Sequence, residues 1–173
     1  MPNWCNNTLE IKSSDRDLLE RYKAAIESGK LLELCRPQPD YETTDVFPTF
    51  PRDGNENTPV KKSEAWWDWC VQNWGTKWDI DTDQMSDVTI DGDELSVSFC
   101  TAWSPPVEAL QFAAERDGFT FKLFYEESGV GFAGLATESE DDCREYDEID
   151  EATRDAWAAQ GFDLMDWEEY ANE

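Results

Sequence analysis

The start of the chain changes from a two-residue to a helical spacing of hydrophobic positions. Every second residue falls on one face over residues 3–11, which predicts a strand. Apolar residues from Leu18 to Ile26 then recur at intervals of three and four, which predicts a helix over residues 15–27 with Ser14 as its N-cap. The chain therefore begins with a strand and an amphipathic helix.

Residues 63–74 return to a helical spacing. Their apolar stripe consists of Trp67, Cys70, Val71 and Trp74. These positions are i, i+3, i+4 and i+7, which is the spacing of one helix face. Gly75 follows as the predicted C-cap, so Thr76 and Lys77 lie in the turn that leaves this second helix.

A β-hairpin is the clearest local pattern in the chain. Alternating residues over 86–91 and 94–102 flank an Asp-Gly turn. A third helix is predicted over 105–116, with Ser104 as its N-cap, and a strand over 119–126 follows. The glycine-rich stretch "SGVGFAG" then leads into a short edge strand.

The order of these elements predicts an α+β fold. A β-α-(insert, α)-β-β-α-β order is typical of a ferredoxin-like antiparallel sheet covered on one face by helices. We expect residues 1–137 to form this domain, with a proline-rich insertion over 36–59. Residues 138–173 are expected to form an acidic C-terminal extension with short helices.

Charge restricts the possible partners more than any other property of the composition. The chain has 40 acidic and 14 basic residues and no histidine, and its formal net charge is −26. Direct binding of nucleic acid needs clustered lysine and arginine, and anionic membranes repel such a protein. The charge therefore favours a basic surface of another protein as the partner. Solubility or adaptation to high salt is the alternative explanation.

The C-terminal extension carries about half of this charge. Residues 138–173 contain 15 acidic residues and two arginines. Its apolar residues are Ile149, Trp157, Leu164, Met165 and Trp167. We expect these residues to anchor the extension on the domain with its carboxylates facing outward. The predicted partner surface consists of Glu138, Glu140, Asp141, Asp142, Glu145, Asp147, Glu148, Asp150, Glu151 and Asp155.

The sequence offers little for catalysis, metals or cofactors. Serine–histidine and cysteine–histidine pairs are excluded because histidine is absent. The five cysteines include no C-x-x-C pair, so we predict no metal site and expect buried, reduced thiols. No cofactor and no catalytic residue are predicted. Without a signal peptide or an apolar span, the expected location is the cytoplasm of a bacterial host cell.

The stretch "NWGTKWD" places Lys77 between two tryptophans. A structural role is expected for a lysine just past a helix C-terminus, with its stem or ammonium against Trp74 or Trp78. The other interpretation is an aromatic-walled pocket for a small ligand. The candidate binding residues are Asn3, Trp4, Asn7, Trp74, Thr76, Lys77, Trp78, Trp103 and Glu126.

Four motifs in order carry a resemblance to a known family. "MPNWCNN" begins the chain, and "NWGTKWD", "TAWSPP" and "YEESGVGFAG" follow at 73–79, 101–106 and 125–134. Together they resemble the YubB-like ferredoxin-like domain family of phage- and plasmid-encoded proteins. The resemblance covers residues 1 to about 137. It implies the fold and a mobile-element origin but no established activity.

Three functions are consistent with these observations. The leading hypothesis is a non-enzymatic phage or plasmid accessory protein that binds a host protein and inhibits a defence factor by resembling nucleic acid. The alternative is a small-molecule or nucleotide-binding domain that uses the tryptophan–lysine pocket. The third is a structural or virion-associated protein. Carboxylates on one continuous face would favour the first, and an enclosed cleft beside Lys77 the second.

Overall fold

The computed structural model describes residues 3–41 and 65–162. Its strands are β1 (Trp4–Lys12), β2 (Asp81–Met85), β3 (Thr89–Asp91), β4 (Glu94–Ala102), β5 (Thr120–Glu127), β6 (Phe132–Thr137) and β7 (Asp141–Glu145). Its α-helices are α1 (Arg16–Glu27), α2 (Leu31–Cys35), α3 (Ala65–Trp74), α4 (Val107–Asp117) and α5 (Glu151–Ala158). A 3₁₀ turn, Tyr146–Glu148, precedes α5.

All seven strands belong to one antiparallel sheet. The order is β2-β4-β1-β5-β6-β7, and β3 also pairs with β4. The first strand lies between β4 and β5 because the helical connections carry the chain across the sheet rather than to a neighbouring strand. This arrangement confirms the predicted α+β fold with a ferredoxin-like order, and β6 and β7 extend it at one edge.

The main core lies on the face of the sheet that α1–α4 cover. Leu9 on β1 faces Val97 on β4 and Leu123 on β5, and all three are at most 3% exposed. Their neighbours on the same face join side chains from all four helices in one hydrophobic cluster. The alternation predicted for the first strand is confirmed, because its hydrophobic face is the one that the helices bury.

The C-terminal segment covers part of the opposite face. Phe124 on β5 lies opposite Leu135 on β6, and both pack against Ile149 and Trp157. Phe162 stacks on Phe124 with 4.7 Å between the ring centroids. Two of the predicted anchors, Ile149 and Trp157, are therefore buried. The other three, at positions 164, 165 and 167, lie outside the described residues.

Two predicted helix caps are wrong. Asp15, not Ser14, caps α1, because its carboxylate accepts hydrogen bonds from the backbone of Asp17 and Leu18. Ser104 does not cap α4, which begins at Val107. Two consecutive prolines precede this residue, and the position before a proline avoids helical backbone angles.

The predicted stripe of α3 is rotated relative to the buried face. The buried residues are Ala65, Trp69, Cys70, Asn73 and Trp74, whereas Val71 is 38% exposed. Trp67 is half-buried. Because seven of the ten positions of α3 are aromatic or apolar, the tertiary contacts rather than the spacing decide which side faces the core.

Three elements were not predicted. Helix α2 is short, and β2 and β7 are polar strands without clear alternation. The strand predicted over 86–91 is shorter, since β3 covers only Thr89–Asp91. The predicted edge strand is β6, which is not an edge because β7 pairs with it. The proposed boundary between residues 137 and 138 thus falls between neighbouring strands of one sheet, and residues 42–59 of the insertion lie outside the described ranges.

Candidate binding surface

The acidic surface is formed by the ten acidic residues from Glu138 to Asp155 named above. Nine of them are exposed, and Asp142 is half-buried. Some also stabilise the backbone that carries them. Asp150 caps α5 by accepting a hydrogen bond from Thr153 N at 2.8 Å, and its hydrogen bonds from Thr153 lower the pKa of Asp150. The carboxylates are therefore presented by a folded segment.

A groove of about 530 Å³ lies between α5 and the last two strands. Its apolar lining includes Leu135 and Trp157, which are buried at 7% and 2% exposure. Its charged lining includes Asp142, Arg144 and Asp150. Arg144 Nε lies 2.6 Å from Asp142 Oδ1, so a groove carboxylate already binds a guanidinium group of this chain.

Two tyrosine hydroxyls connect the acidic segment, residues 138–155, to strand β5. Tyr125 donates to Asp141, and Tyr146 donates to Glu126. Burial, together with the neighbouring Asp141 carboxylate, raises the pKa of Tyr125, so this hydroxyl remains a donor at neutral pH. Sequence reasoning missed these contacts because each joins residues of different strands or turns.

The motif residues Asn7 and Thr76 have internal partners. Asn7 Nδ2 donates to Cys5 O and to Thr101 Oγ1, both at 2.9 Å. Thr76 Oγ1 donates to Ala102 O at 2.8 Å. Both side chains are buried, so these hydrogen bonds satisfy polar groups that water does not reach.

Two further residues of "NWGTKWD" stabilise neighbouring elements. Trp74 Nε1 donates to Arg36 O at 2.8 Å. The Asp79 carboxylate accepts from Leu32 N at 2.9 Å and from Glu33 N at 3.0 Å, so it caps the start of α2. Burial raises the pKa of Asp79, and these backbone donors oppose that shift. Trp74, Thr76 and Asp79 of this motif therefore stabilise the fold.

Lys77 makes the expected aromatic contact. Its Nζ lies 4.1 Å from the centroid of the Trp78 ring, which is within the range of a cation–π interaction. Lys77 is half-buried, and Trp78 is 41% exposed. The ammonium group therefore lies at the surface, against a ring that is itself open to solvent.

The structure separates the nine candidate pocket residues. Asn7 faces the helix-covered core, whereas Trp4 and Glu126 lie on the opposite face of the sheet. Asn3 O accepts a hydrogen bond from the backbone N–H of Trp103, which is 48% exposed. These residues meet at one end of the sheet but do not line a single pocket.

A smaller cleft lies where three of the four motifs meet. Its volume is about 210 Å³, and its lining includes Gly75, Ser104, Tyr125, Asp141 and Cys143. The Ser104 hydroxyl donates to Gly75 O, which holds two of the motifs together. Sequence spacing gave no indication of this cleft, because its residues come from four separate segments.

The thiols are poor nucleophiles at neutral pH. Burial raises the pKa of Cys70 to about 12 and also raises the pKa of Cys100, and partial desolvation raises the pKa of Cys143 although its side chain reaches solvent. Four cysteines are buried as expected, but Cys143 on β7 is exposed because that strand is at the sheet edge. Within residues 3–41 and 65–162, no group of three or more acidic or cysteine side chains is placed to hold a metal ion.

Residues 74–168 match the model of the ferredoxin-like domain in Api92-like protein. The chain belongs to this family. The Api92-like match runs through β7 and α5, so it includes most of the acidic segment. The chain is also similar to a crystal structure of the protein Api92 from Yersinia pseudotuberculosis, with 10% identity and a TM-score of 0.46. That similarity covers 84% of this chain and 98% of the other.

No curated protein matches the chain. Among the helices that the structure describes, none combines the length and the apolar character needed to cross a membrane.

Proposed function

We propose that this chain is a non-enzymatic accessory protein of a phage or plasmid that binds a basic surface of a host protein. The observation that carries the proposal is the docked acidic segment, which presents nine exposed carboxylates and is held on the sheet by buried anchors. A segment of such charge density repels itself in a compact state. Burial of Ile149 and Trp157 holds it on the sheet despite that repulsion.

Docking gives the carboxylates a defined arrangement before any partner binds. A free acidic tail would lose backbone and side-chain entropy on binding, whereas a folded segment has already lost most of it. Oppositely charged surfaces also accelerate association by long-range attraction. The acidic surface therefore suits rapid binding to a basic partner.

The basic partner in this proposal is the nucleic-acid-binding face of a host defence factor. Such faces carry clustered lysine and arginine that contact phosphates. An array of fixed carboxylates competes for the same cations and thus inhibits the factor by resembling nucleic acid. The resemblance of four motifs to the YubB-like family supports the mobile-element origin, which also gives the bacterial cytoplasm as the location.

The small-molecule alternative has less geometric support. Thr76 and Trp74 already bond to backbone carbonyls, and Lys77 contacts Trp78. Glu126 accepts from Tyr146 on the other side of the sheet from Asn7. A ligand site that used all of these groups would require their present hydrogen bonds to break.

The test compares two variants with equal changes in charge. The surface variant replaces six exposed acids, of which only Glu138 and Glu148 accept hydrogen bonds from the described backbone, each at 3.4 Å. Its substitutions are Glu138→Gln, Glu140→Gln, Asp147→Asn, Glu148→Gln, Glu151→Gln and Asp155→Asn. The control variant neutralises six exposed acids elsewhere: Asp17→Asn, Asp83→Asn, Asp87→Asn, Asp91→Asn, Asp93→Asn and Glu115→Gln. Each variant and the unmodified chain are used to capture proteins from a bacterial host lysate, and each captured protein is then purified and titrated.

We expect the surface variant to associate with the captured partner about tenfold more slowly than the control variant, with a smaller change in dissociation. Affinity of the unmodified chain should fall steeply between about 50 and 500 mM salt, because screening shortens the reach of the charges. If the association rate fell equally in both variants, net charge rather than the position of the carboxylates would control binding. An affinity independent of salt would refute the proposal.

A further inference from the structure

Trp103 has an unusual backbone conformation. Its φ is 73°, and it is the only residue other than glycine with a positive φ in the described part of the chain. A large side chain disfavours this left-handed region, whereas glycine adopts it freely. The indole is nevertheless 48% exposed, so burial of this side chain does not explain why a tryptophan occupies the position.

Hydrogen bonds fix the chain on both sides of Trp103. Its N–H donates to Asn3 O at 3.0 Å, and the preceding Ala102 O accepts from Thr76 Oγ1 at 2.8 Å. The following Ser104 accepts at its carbonyl from Thr101 Oγ1 at 2.8 Å. The exposed indole is therefore carried by a rigid turn, so its backbone loses little entropy when a partner binds.

The turn between β5 and β6 connects Trp103 to the acidic surface. On one side, a Cβ at Gly129 would lie 2.5 Å from Asn3 Nδ2, so this turn packs closely against the residue that bonds to Trp103. On the other side, Gly131 O accepts from Tyr146 N at 2.8 Å. Tyr146 begins the 3₁₀ turn between exposed acidic residues.

Solvent reaches this path at several points, although Asn3, Gly131 and Tyr146 are themselves half-buried. Val130 at the tip of the turn is 71% exposed, and the acidic residues Glu145, Asp147 and Glu148 beside Tyr146 are exposed too. The exposed indole and these exposed carboxylates thus lie at the two ends of one path of packed and hydrogen-bonded residues. The path connects an aromatic ring with negative charge.

We propose that Trp103 is a second docking position, continuous with the acidic surface, that receives arginine side chains of a basic partner protein. This inference rests on the proposed function. A guanidinium group stacks on an aromatic face and also pairs with carboxylates, and it loses less hydration than an ammonium group. An exposed indole that this path connects to exposed carboxylates offers a partner for each property. The ring of Trp78, two residues beyond the Thr76 that bonds to Ala102, already holds a cation, Lys77.

The first experiment is an NMR titration of the full chain with three capped Gly-Xaa repeat peptides, in which Xaa is arginine, lysine or glutamine. Indole N–H signals report on the tryptophans, and backbone amides of residues 138–155 report on the acidic surface. The indole N–H signal of Trp103 is assigned as the one that disappears from the spectrum of the Trp103→Gly variant. The arginine peptide should shift both sets of signals, the lysine peptide should shift Trp103 less, and the glutamine peptide should shift neither.

The second experiment measures affinity for the arginine peptide in Trp103→Gly. Glycine favours this backbone angle, so the variant should unfold at the same temperature as the unmodified chain or higher. Affinity should fall about three- to fivefold, as expected for loss of one cation–π contact at an exposed site. Phe112→Ala, which removes an aromatic ring that is 39% exposed on α4, should leave the affinity unchanged.

The outcomes separate this inference from the proposed function. Shifts at residues 138–155 without a shift at Trp103 would overturn the role of Trp103 and leave the acidic surface in place. A Trp103 shift of equal size with the glutamine peptide would overturn the role of charge at this position. If the arginine peptide binds nowhere on the chain, both proposals fail.

Discussion

At the scale of single residues, Asp117 at the end of α4 connects several parts of the helical layer. Its Oδ2 accepts from the Tyr22 hydroxyl at 2.7 Å and pairs with Arg116 at 2.8 Å. Arg116 also donates to Cys35 O at 2.7 Å, which ties the end of α2 to α4. The hydrogen bonds from Arg116 and Tyr22 lower the pKa of Asp117 from 3.8 to about 2, and the one from Arg116 has the larger effect.

This pKa shift predicts how acid affects stability. The folded chain binds the Asp117 proton less readily than the unfolded chain does, so the carboxylate stabilises the fold above about pH 4. That contribution is lost as the pH falls through about 2. Asp117→Asn should lower the free energy of unfolding by about 1–2 kcal/mol at pH 7, and by much less near pH 2. Urea unfolding at both pH values measures the difference.

Glu115→Gln is the matched control for this prediction. Glu115 lies exposed on the same helix, so its substitution should change the unfolding free energy by less than about 0.5 kcal/mol at either pH. If Asp117→Asn had the same cost at pH 7 and at pH 2, the carboxylate charge would not be the source of the stabilisation.

At the scale of elements, α5 depends on tertiary contacts. It has eight residues, which is too short for an independently stable helix in water. Its Trp157 is 2% exposed and packs against Phe162, with 5.8 Å between the ring centroids. This apolar contact holds the acidic segment on the second face of the sheet.

Trp157→Ala should release α5 from the sheet. The substitution removes a large buried side chain, which typically costs about 3–5 kcal/mol, so undocking the segment becomes the easier response. Hydrogen exchange should therefore accelerate at the α5 amides by at least about 100-fold, while the β1 amides retain their protection. Mass spectrometry of exchanged peptides measures both regions in one experiment.

Glu151→Ala provides the control within the same helix. This residue is exposed, and alanine is a good helix former, so exchange at α5 should stay as slow as in the unmodified chain. Equal acceleration at β1 and α5 in Trp157→Ala would mean that the segment and the sheet unfold as one unit.

At the scale of the whole molecule, negative charge opposes the compact fold. The formal net charge is −26 in 173 residues, and six ion pairs occur among the described residues. The 14 basic residues are too few to neutralise the 40 acidic ones, so the negative charges repel one another on balance. Repulsion of this kind acts over about 30 Å at 0.01 M salt but over only about 3 Å at 1 M.

Added salt should consequently stabilise the protein. Raising NaCl from about 0.02 to 0.5 M should increase the melting temperature by several degrees, because screening weakens the repulsion in the folded state more than in the expanded chain. The surface variant with six neutralised acids should show a smaller increase. Differential scanning calorimetry at matched pH tests both expectations, and a melting temperature that falls with NaCl would contradict them.

Sequence patterns by themselves determined most of the ferredoxin-like unit. Strand β1, the β3–β4 hairpin and α4 were predictable because their hydrophobic periods are local and their turns carry glycine at fixed positions. Gly118, for example, has a φ of 75° where the sequence places a C-cap. The composition likewise predicted an acidic segment with buried anchors at Ile149 and Trp157. Each of these conclusions needs only neighbouring residues.

Contacts between distant segments depend on the tertiary structure. Polar β7 is a strand because β6 offers it a hydrogen-bonding edge, and its own sequence does not alternate. The candidate pocket residues were separated because Asn7 and Glu126 lie on opposite faces of the sheet, a relation set by strand register. The strained Trp103 and its path to the acidic surface through Tyr146 also depend on contacts between distant segments. Spacing along a chain cannot encode such contacts, since they arise from the register and packing of elements that meet only after folding.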